Sequence, residues 1–408
     1  MTTPHADLSP SLRRRVLSHG AYWFLMMAPL GLVLPYYALY LRDHAGLTGA
    51  QIGAVFAVMP LVAMLAQPLW GVAADRTGMR ARILVVLCFG AALGYLAIAR
   101  ADSFGALLAA TALLALFARS LLPLSLAVSI PALRDHAHAF GIVRALGTVG
   151  FGAAMFGFPW LVAARRNARG VLSGDDAAAP AELELLFPLA VVLALAAALA
   201  ALAVPQRGVL TQRAARGEWR SLLRNQRFRR VLTLGIFAFL LQNGPLEFFP
   251  VLVDARGGDL ETVRTMWLWM LIPEVVLVAG LGWLSARFSP RALLAIGLFA
   301  GGLRWLGSAA APSLAWLAPL QALHAVVVLG LMLGAPLYLD AAVPPQLRST
   351  AQAGFAVVSV GVGGAASSLL SGWLLEFGGP VAPYWVAGAG SLLLALGVSR
   401  WLPRAAAC

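Results

Sequence analysis

Apolar runs of membrane-spanning length limit what this 408-residue sequence can fold into. A bilayer hydrocarbon core of roughly 30 Å requires about 20 apolar residues in a helix. Because 61% of the residues are hydrophobic and 12% are charged, a soluble domain of this length would have too little polar surface to cover them. The sequence therefore predicts an all-α integral membrane protein with twelve transmembrane helices, over 19–41, 49–72, 83–100, 104–127, 141–163, 184–204, 231–253, 263–285, 291–311, 313–338, 351–375 and 382–402.

The basic residues alternate with these helices. All 30 are arginines, of which 20 fall in the N-terminal tail, the even-numbered connections and the C-terminal tail, whereas 7 fall in the other connections. This is the positive-inside bias, and it predicts that both termini are cytoplasmic. The net charge of +13 is therefore a topology signal that faces anionic lipid, not a nucleic-acid footprint. Arginine without lysine is typical of a GC-rich bacterial genome, so we expect a bacterial inner membrane.

One long basic connection, residues 205–230, divides the chain into six helices before it and six after it. The predicted organisation is an N-terminal bundle over 1–204, a cytoplasmic linker over 205–230 and a C-terminal bundle over 231–408. Transporters with two such halves bind their substrate near mid-membrane and rock the halves about it. Two short patterns recur in register, as a duplication predicts: Gly71, Arg76 and Arg80 with Gly282, Arg287 and Arg291, and Gly147-x-x-Gly150 with Gly361-x-x-Gly364.

The connection after the second helix resembles the signature loop of the major facilitator superfamily. The matching residues are Gly71, Asp75, Arg76, Gly78 and Arg80. The resemblance implies a fold of two pseudo-symmetric six-helix bundles. We interpret these residues as a cytoplasmic gate, in which Asp75 meets the positive N-terminal end of a helix of the other half, most plausibly the eleventh. The alternative is a tight turn that only carries positive-inside charge.

Ionisable residues inside membrane helices are costly and are functional candidates by default. Glu274, Arg304 and His324 lie at similar depth on the eighth, ninth and tenth helices. Desolvation favours the neutral form of a glutamate, and arginine pairs well with a carboxylate. The three residues therefore predict a joint site for substrate binding and proton coupling. The alternative is a buried polar cluster that ties helices together, and His324 alone fits that description equally well.

The same constellation resembles the oligosaccharide:proton symporters and the related phenylpropionate transporters. The resemblance rests on Arg304-Trp-Leu-Gly-Ser, on Leu323-His324, and on the fifth-helix start from Phe140 to Phe151. It implies that Arg144 binds substrate, that Phe151 stacks on it, and that Glu274 is the eighth-helix glutamate. Three departures put a galactoside-type site in doubt: Leu126 replaces an acid, Val327 a proton-carrying glutamate and Gln321 a lysine.

The substrate class follows from charge. With no acid at position 126, Arg144 is a positive charge that a substrate carboxylate would satisfy. Arg119 adds to this field, or else snorkels to the interface. Three first-helix aromatics line the predicted cavity or belong to an interfacial belt: Trp23, Tyr36 and Tyr37. An aromatic or other carboxylic acid is the favoured substrate, with a sugar or a nucleoside as the alternative.

Glu247 is the reserve candidate for the proton carrier, or a rim residue at the outer end of the seventh helix. Gly244 and Pro245 precede it, and we expect them to break that helix and free carbonyls.

The predicted function is secondary transport of a small organic solute by alternating access with proton symport. The sequence carries no ATP-binding motif and no metal-spaced cluster, so we predict no enzyme activity, no cofactor and no nucleic-acid partner. The expected partners are the solute, protons and membrane lipid, and the expected state is a monomer. A drug or metabolite exporter is the alternative within transport, and a non-transporting membrane sensor or scaffold is the alternative outside it.

Overall fold

The computed structural model describes residues 10–133, 137–169, 182–205 and 219–403. Within these ranges the regular structure is helical, with twelve long helices that we number α1 to α12. In the first half they are α1 Pro10–Val33, α2 Gly49–Thr77, α3 Arg80–Ala99, α4 Phe104–Leu133, α5 Ala137–Arg169 and α6 Leu186–Leu202. In the second half they are α7 Gln226–Glu247, α8 Leu260–Ala279, α9 Pro290–Ala310, α10 Leu323–Ala342, α11 Gly364–Gly378 and α12 Ala382–Trp401.

Shorter helical pieces extend several of these helices. A short helix and a π-helix, Tyr37–Leu39 and Tyr40–His44, follow α1, and a π-helical stretch Ala356–Gly363 runs into α11. The others are Trp219–Arg224, Phe249–Asp254, Leu281–Arg287, Leu314–Leu320, the 3-10 turn Pro345–Leu347 and Arg348–Phe355. Among the described residues, nine helical runs are long and apolar enough to cross a membrane, and Leu186–Leu202 is a shorter apolar helix.

The end of α7 differs from the sequence-based expectation. Pro245 does not break α7 where it occurs, because the helix continues to Glu247 and is interrupted at Phe248. The Gly244 carbonyl is not freed either, since it accepts a hydrogen bond from Phe248 N at 2.9 Å. Proline near a helix end removes one backbone donor, and here the last turn tolerates that loss.

The residue contacts divide the chain into two compact units. Unit 1 comprises Met1–Tyr37 and Leu65–Gln212, and unit 2 comprises Ala38–Met64 and Arg213–Cys408. Helix α2 therefore contributes residues to both. The boundary after Gln212 falls within the predicted linker, half of which, residues 206–218, lies outside the described residues. The division at 205–230 stays a prediction.

In unit 1, α1 packs closely against α5 through glycines. A Cβ on Gly31 would overlap the backbone of Phe151, and one on Gly150 would overlap the backbone of Phe24. Small residues permit such backbone approach between membrane helices. The nearby aromatic residues are buried as well, at 0% exposure for Trp23 on α1 and for Tyr36, three residues after the end of α1.

The polar tips of Trp23, Tyr36 and Tyr37 bond to neighbouring helices. Trp23 Nε1 donates to Ser129 Oγ at 2.9 Å, Tyr36 Oη donates to the Met155 carbonyl at 3.2 Å, and Tyr37 Oη pairs with Thr111 Oγ1 at 2.7 Å. Buried Trp and Tyr find such partners for their N–H and O–H groups. The interfacial-belt alternative is therefore wrong for these residues.

In unit 2, α9 packs against α10 and α12, and α7 packs against α11 and α12. The backbones of α9 and α10 approach closely where Gly297 lies against Gly330. Helix α8, which packs on α10, is capped by Asp259, whose carboxylate accepts from Thr262 N at 2.8 Å and Thr262 Oγ1 at 2.6 Å. Burial raises the pKa of Asp259, but these hydrogen bonds outweigh it and hold the pKa below its ordinary value.

Candidate functional site

Arg304 lies at the centre of a buried polar cluster in unit 2. Its side chain is 1% exposed and bonds through three nitrogens: Nε donates to Gln321 Oε1 at 3.0 Å, Nη1 lies 3.0 Å from His324 Nδ1, and Nη2 lies 3.3 Å from Met270 Sδ. Its guanidinium carbon also lies 3.9 Å from the ring centroid of Trp305. Buried charges need several partners, and arginine offers five donors for them.

Glu274 completes a row with His324 and Arg304. His324 Nε2 lies 3.8 Å from Glu274 Oε2, and the glutamate side chain is 29% exposed whereas that of His324 is 13% exposed. The row therefore runs from a buried guanidinium to a partly exposed carboxylate. Helices α8, α9 and α10 supply one residue each, as the sequence suggested. Their roles in substrate and proton binding stay predictions.

Further hydrogen bonds surround this cluster. The sequence alone predicts no role for the residues that form them. Gln321 Nε2 donates to Ser308 Oγ at 3.1 Å and to the Leu317 carbonyl at 3.0 Å, which fixes the amide that accepts from Arg304. Trp305 Nε1 donates to Gln242 Oε1 at 2.9 Å, and Gln242 Nε2 donates to Ser391 Oγ at 2.8 Å. In the sequence, Gln321 stands out only as a departure from the symporter pattern. The one signal for its contact with the cluster is its position three residues before His324.

Glu247 lies in a separate polar group on α7 and α11. Asn243 Nδ2 donates to its Oε1 at 2.8 Å, and Ser368 Oγ donates to its Oε2 at 2.6 Å. Ser368 is fully buried, and the glutamate is half-buried. Two donors stabilise the ionised carboxylate. Both partners are neutral residues for which the sequence predicts no role.

The predicted first-half residues lie in unit 1. The Arg144 guanidinium carbon is 5.4 Å from the ring centroid of Trp23, a cation–π distance. Phe151 is half-buried, with its backbone packed on α1. The Arg119 side chain is exposed, and its carbonyl accepts from Gln67 Nε2 at 3.0 Å. The aromatic neighbour of Arg144 in the structure is thus Trp23, and the stacking role of Phe151 stays a prediction.

The signature loop is shorter than the sequence suggested. Helix α2 includes Gly71, Asp75 and Arg76 and ends at Thr77. Gly78 then takes a left-handed φ of 66°, which favours glycine, and α3 begins at Arg80. Arg80 Nη2 donates to Asp75 Oδ1 at 2.6 Å, and among the described residues no neighbour lies within 4 Å of a Cβ on Gly71. The contact between Asp75 and the eleventh helix stays a prediction.

The second copy of this loop makes the corresponding turn with a serine in place of the glycine. Ser289 occupies the place of Gly78 and caps α9, with Oγ accepting from Ala292 N at 3.2 Å. An N-cap serine satisfies a helix donor without left-handed backbone. The two copies thus share arginine spacing but not turn chemistry.

Over the ranges that the structure describes, twelve long helices enclose buried charged and amide side chains, which is the architecture of a multi-pass membrane protein. A family profile described as "MFS_1 like family" matches residues 17–386. Maltose permease of Geobacillus stearothermophilus is 30% identical over 359 residues, which cover 87% of this chain and 86% of that protein. The chain belongs to the MFS_1 like family of the major facilitator superfamily, so it is a transporter and not an enzyme.

Solved structures agree on the fold. A variant of the nucleoside transporter NupG matches with a TM-score of 0.84 at 17% identity, covering 95% of this chain and 100% of that one. A variant of the peptide transporter POT matches with a TM-score of 0.70 at 14% identity, covering 94% and 93%. At these identities the likeness extends to the fold alone.

Proposed function

We propose that the protein is a proton-coupled symporter of a small organic solute that works by alternating access. The observation that carries the proposal is the row of Glu274, His324 and Arg304 in unit 2. We propose further that it works as a monomer in a bacterial inner membrane, with both termini in the cytoplasm, because 20 of its 30 arginines fall on that side.

Glu274 is the proposed proton carrier. It is the most exposed of the three residues, at 29% against 13% for His324 and 1% for Arg304, so we propose it as the group that exchanges protons. A proton on Glu274 would neutralise its charge, and the loaded carrier would reorient with less charge inside the membrane. His324 lies between Glu274 and Arg304 and so transmits the change in charge to the buried guanidinium.

A carboxylic acid is the substrate class that the unit 1 charges favour. Helices α3, α4, α5 and α6 contain no acidic residue, whereas Arg119 and Arg144 lie within α4 and α5. A field of this sign attracts anions, and arginine binds carboxylates through paired hydrogen bonds. The Trp23 ring beside Arg144 is 0% exposed and so orients the guanidinium, while the half-buried Phe151 on the same helix is the aromatic side chain proposed to stack on an aromatic acid.

An oligosaccharide is the second candidate substrate. The supporting observation is the 30% identity to a protein named maltose permease. A sugar is neutral and brings no carboxylate into the site. The change in charge that couples its transport to protons would then come from protonation of Glu274 alone.

The substrate test compares three probes in proteoliposomes: 3-phenylpropionate, maltose and uridine. We expect an imposed inward proton gradient to drive accumulation of 3-phenylpropionate above the level without a gradient. Accumulation of maltose instead would select the second substrate class. If the gradient accelerates uptake of no probe, the proton coupling is contradicted.

The coupling test uses Glu274→Gln. We expect this variant to lose gradient-driven accumulation yet to retain exchange of preloaded solute, because exchange needs no net proton release. Glu261→Gln is the matched control, since Glu261 lies on the same helix but is 64% exposed and paired with Arg264. Retained accumulation in Glu274→Gln would refute its role as carrier.

A further inference from the structure

A cavity of about 760 Å³ opens at one end of unit 1, where three helices terminate. Its walls are formed by the start of α1, the start of α3 and the end of α6. The residues that matter here are Arg14, Arg15 and Ser18, then Arg82 and Val85, then the segment 201–205. The cavity is separate from the polar cluster of unit 2 and has no part in the proposed transport chemistry.

The charge of this cavity is positive. It has three arginines in its walls, and among the residues that the structure describes there none is acidic. Arg14 and Arg82 are exposed, whereas Arg15 is half-buried and donates from Nη1 to the Ala132 carbonyl at 3.2 Å. The carbonyl end of α6 contributes about half a negative charge, which three guanidinium groups exceed.

Two apolar stripes run away from the cavity along adjacent helices. On α3 the exposed residues Val86, Phe89, Leu93 and Leu96 follow Arg82 at helical spacing, and on α6 the exposed residues are Val192, Leu195, Leu199 and Leu202. Residues spaced by three and four lie on one helix face. Leu202 also lines the cavity, and α3 packs against α6. Each stripe therefore starts at the basic cavity and continues along the membrane-spanning surface.

We propose that this cavity binds an anionic diacyl phospholipid. The arginines would hold the phosphodiester headgroup, and the stripes on α3 and α6 would take the two acyl chains. Basic cavities between membrane helices on the cytoplasmic side suit anionic headgroups, since that leaflet carries the anionic lipid. The arginine distribution predicts that this end of unit 1 is cytoplasmic. A free phosphate would use the arginines but not the stripes.

The experiment measures the melting temperature of the purified full-length protein with dioleoylphosphatidylglycerol, dioleoylphosphatidylcholine or inorganic phosphate. A ligand of the folded state raises the melting temperature. We expect the anionic lipid to raise it most, and the shift to shrink at high salt. An equal shift with phosphatidylcholine would overturn the role of charge. An equal shift with inorganic phosphate would overturn the assignment to lipid.

Two sets of variants locate the site. Arg14→Gln with Arg82→Gln leaves the structural bond of Arg15 intact, and we expect each lost arginine to weaken lipid binding about fivefold. Arg13→Gln is the matched control, because Arg13 is exposed in the same tract but does not line the cavity. Unchanged lipid shifts in the double variant would overturn the proposal.

Ala203 gives a test that keeps every arginine. It is exposed and lines the cavity. Ala203→Glu places a negative charge there, whereas Ala203→Gln adds the same bulk without charge. We expect the glutamate variant to lose most of the lipid-induced shift and the glutamine variant to keep it. Equal shifts in the two variants would contradict an anion site.

Discussion

His324 accepts a hydrogen bond from Arg304 in the buried cluster of unit 2, with Nδ1 3.0 Å from Nη1. A guanidinium has donors only, so Nδ1 of the imidazole is the acceptor and the ring proton of neutral His324 lies on Nε2. That proton faces Glu274 Oε2 at 3.8 Å. The arginine thus sets the tautomer of the histidine, which in turn presents a donor to the proposed proton carrier.

Substitution of His324 separates these two contacts. Asparagine can replace the Nδ1 acceptor for Arg304, whereas glutamine reaches farther and can replace the Nε2 donor toward Glu274. If the contact with Glu274 serves coupling, His324→Asn loses about tenfold or more of its gradient-driven uptake. His324→Gln should retain a larger part. The measurement is proteoliposome uptake with and without a proton gradient. Wild-type accumulation in His324→Asn would contradict a coupling role for the contact between His324 and Glu274.

Glu247 provides a direct comparison of the two membrane carboxylates. Asn243 and Ser368 both donate to it, so its charged form is stabilised and it should not load a proton during transport. We expect Glu247→Gln to keep gradient-driven accumulation but to lose roughly 1–3 kcal/mol of stability. The amide has one accepting oxygen where the carboxylate has two, so one of the two donors loses its acceptor. Thermal melting and uptake check this. Lost accumulation with retained exchange would instead make Glu247 the carrier.

The sequence predicted the helices and the three charged residues on α8, α9 and α10 because both signals are local. An apolar run reveals a membrane helix, and a charge within it is conspicuous at any depth. Gln321 and Met270 are different. A neutral amide or a thioether in an apolar stretch does not stand out in the sequence, and its role becomes visible only when the position of Arg304 is known. Their contacts with Arg304 depend on how helices pack.

Trp23 and Tyr36 are a second case in which a contact depends on how helices pack and is not visible in the sequence. Trp and Tyr occur at membrane interfaces and in buried contacts alike, so their type does not reveal the helix face that is buried. Trp23 and Tyr36 are buried because Gly31 and Gly150 let α1 and α5 approach closely. That approach is a property of two helices together. No window along one helix contains it.

The glycines at this crossing give a stability prediction. A Cβ on Gly150 would overlap the backbone of Phe24, and backbone cannot move aside as a flexible side chain does. We expect Gly150→Ala to cost about 1–3 kcal/mol or more. Gly152→Ala on the same helix is the matched control, since no atom of the described part of the chain lies within 4 Å of a Cβ there. Melting temperatures and the yield of monodisperse protein measure the difference, and equal values for the two variants would disprove the close crossing.

Asp75 gives the test of the signature loop. It lies in the last turn of α2, where the negative helix end disfavours a carboxylate, and Arg80 donates to it at 2.6 Å. Since Asp75 is 56% exposed, this pair alone should contribute about 0–1 kcal/mol to stability. A gate role predicts more: Asp75→Asn should slow solute exchange about tenfold, equivalent to about 1.4 kcal/mol in the barrier. Asp102→Asn, at an exposed position in another connection of the same half, should not. Wild-type exchange in Asp75→Asn, with a melting temperature close to that of the parent, would reduce the loop to a tight turn carrying charge.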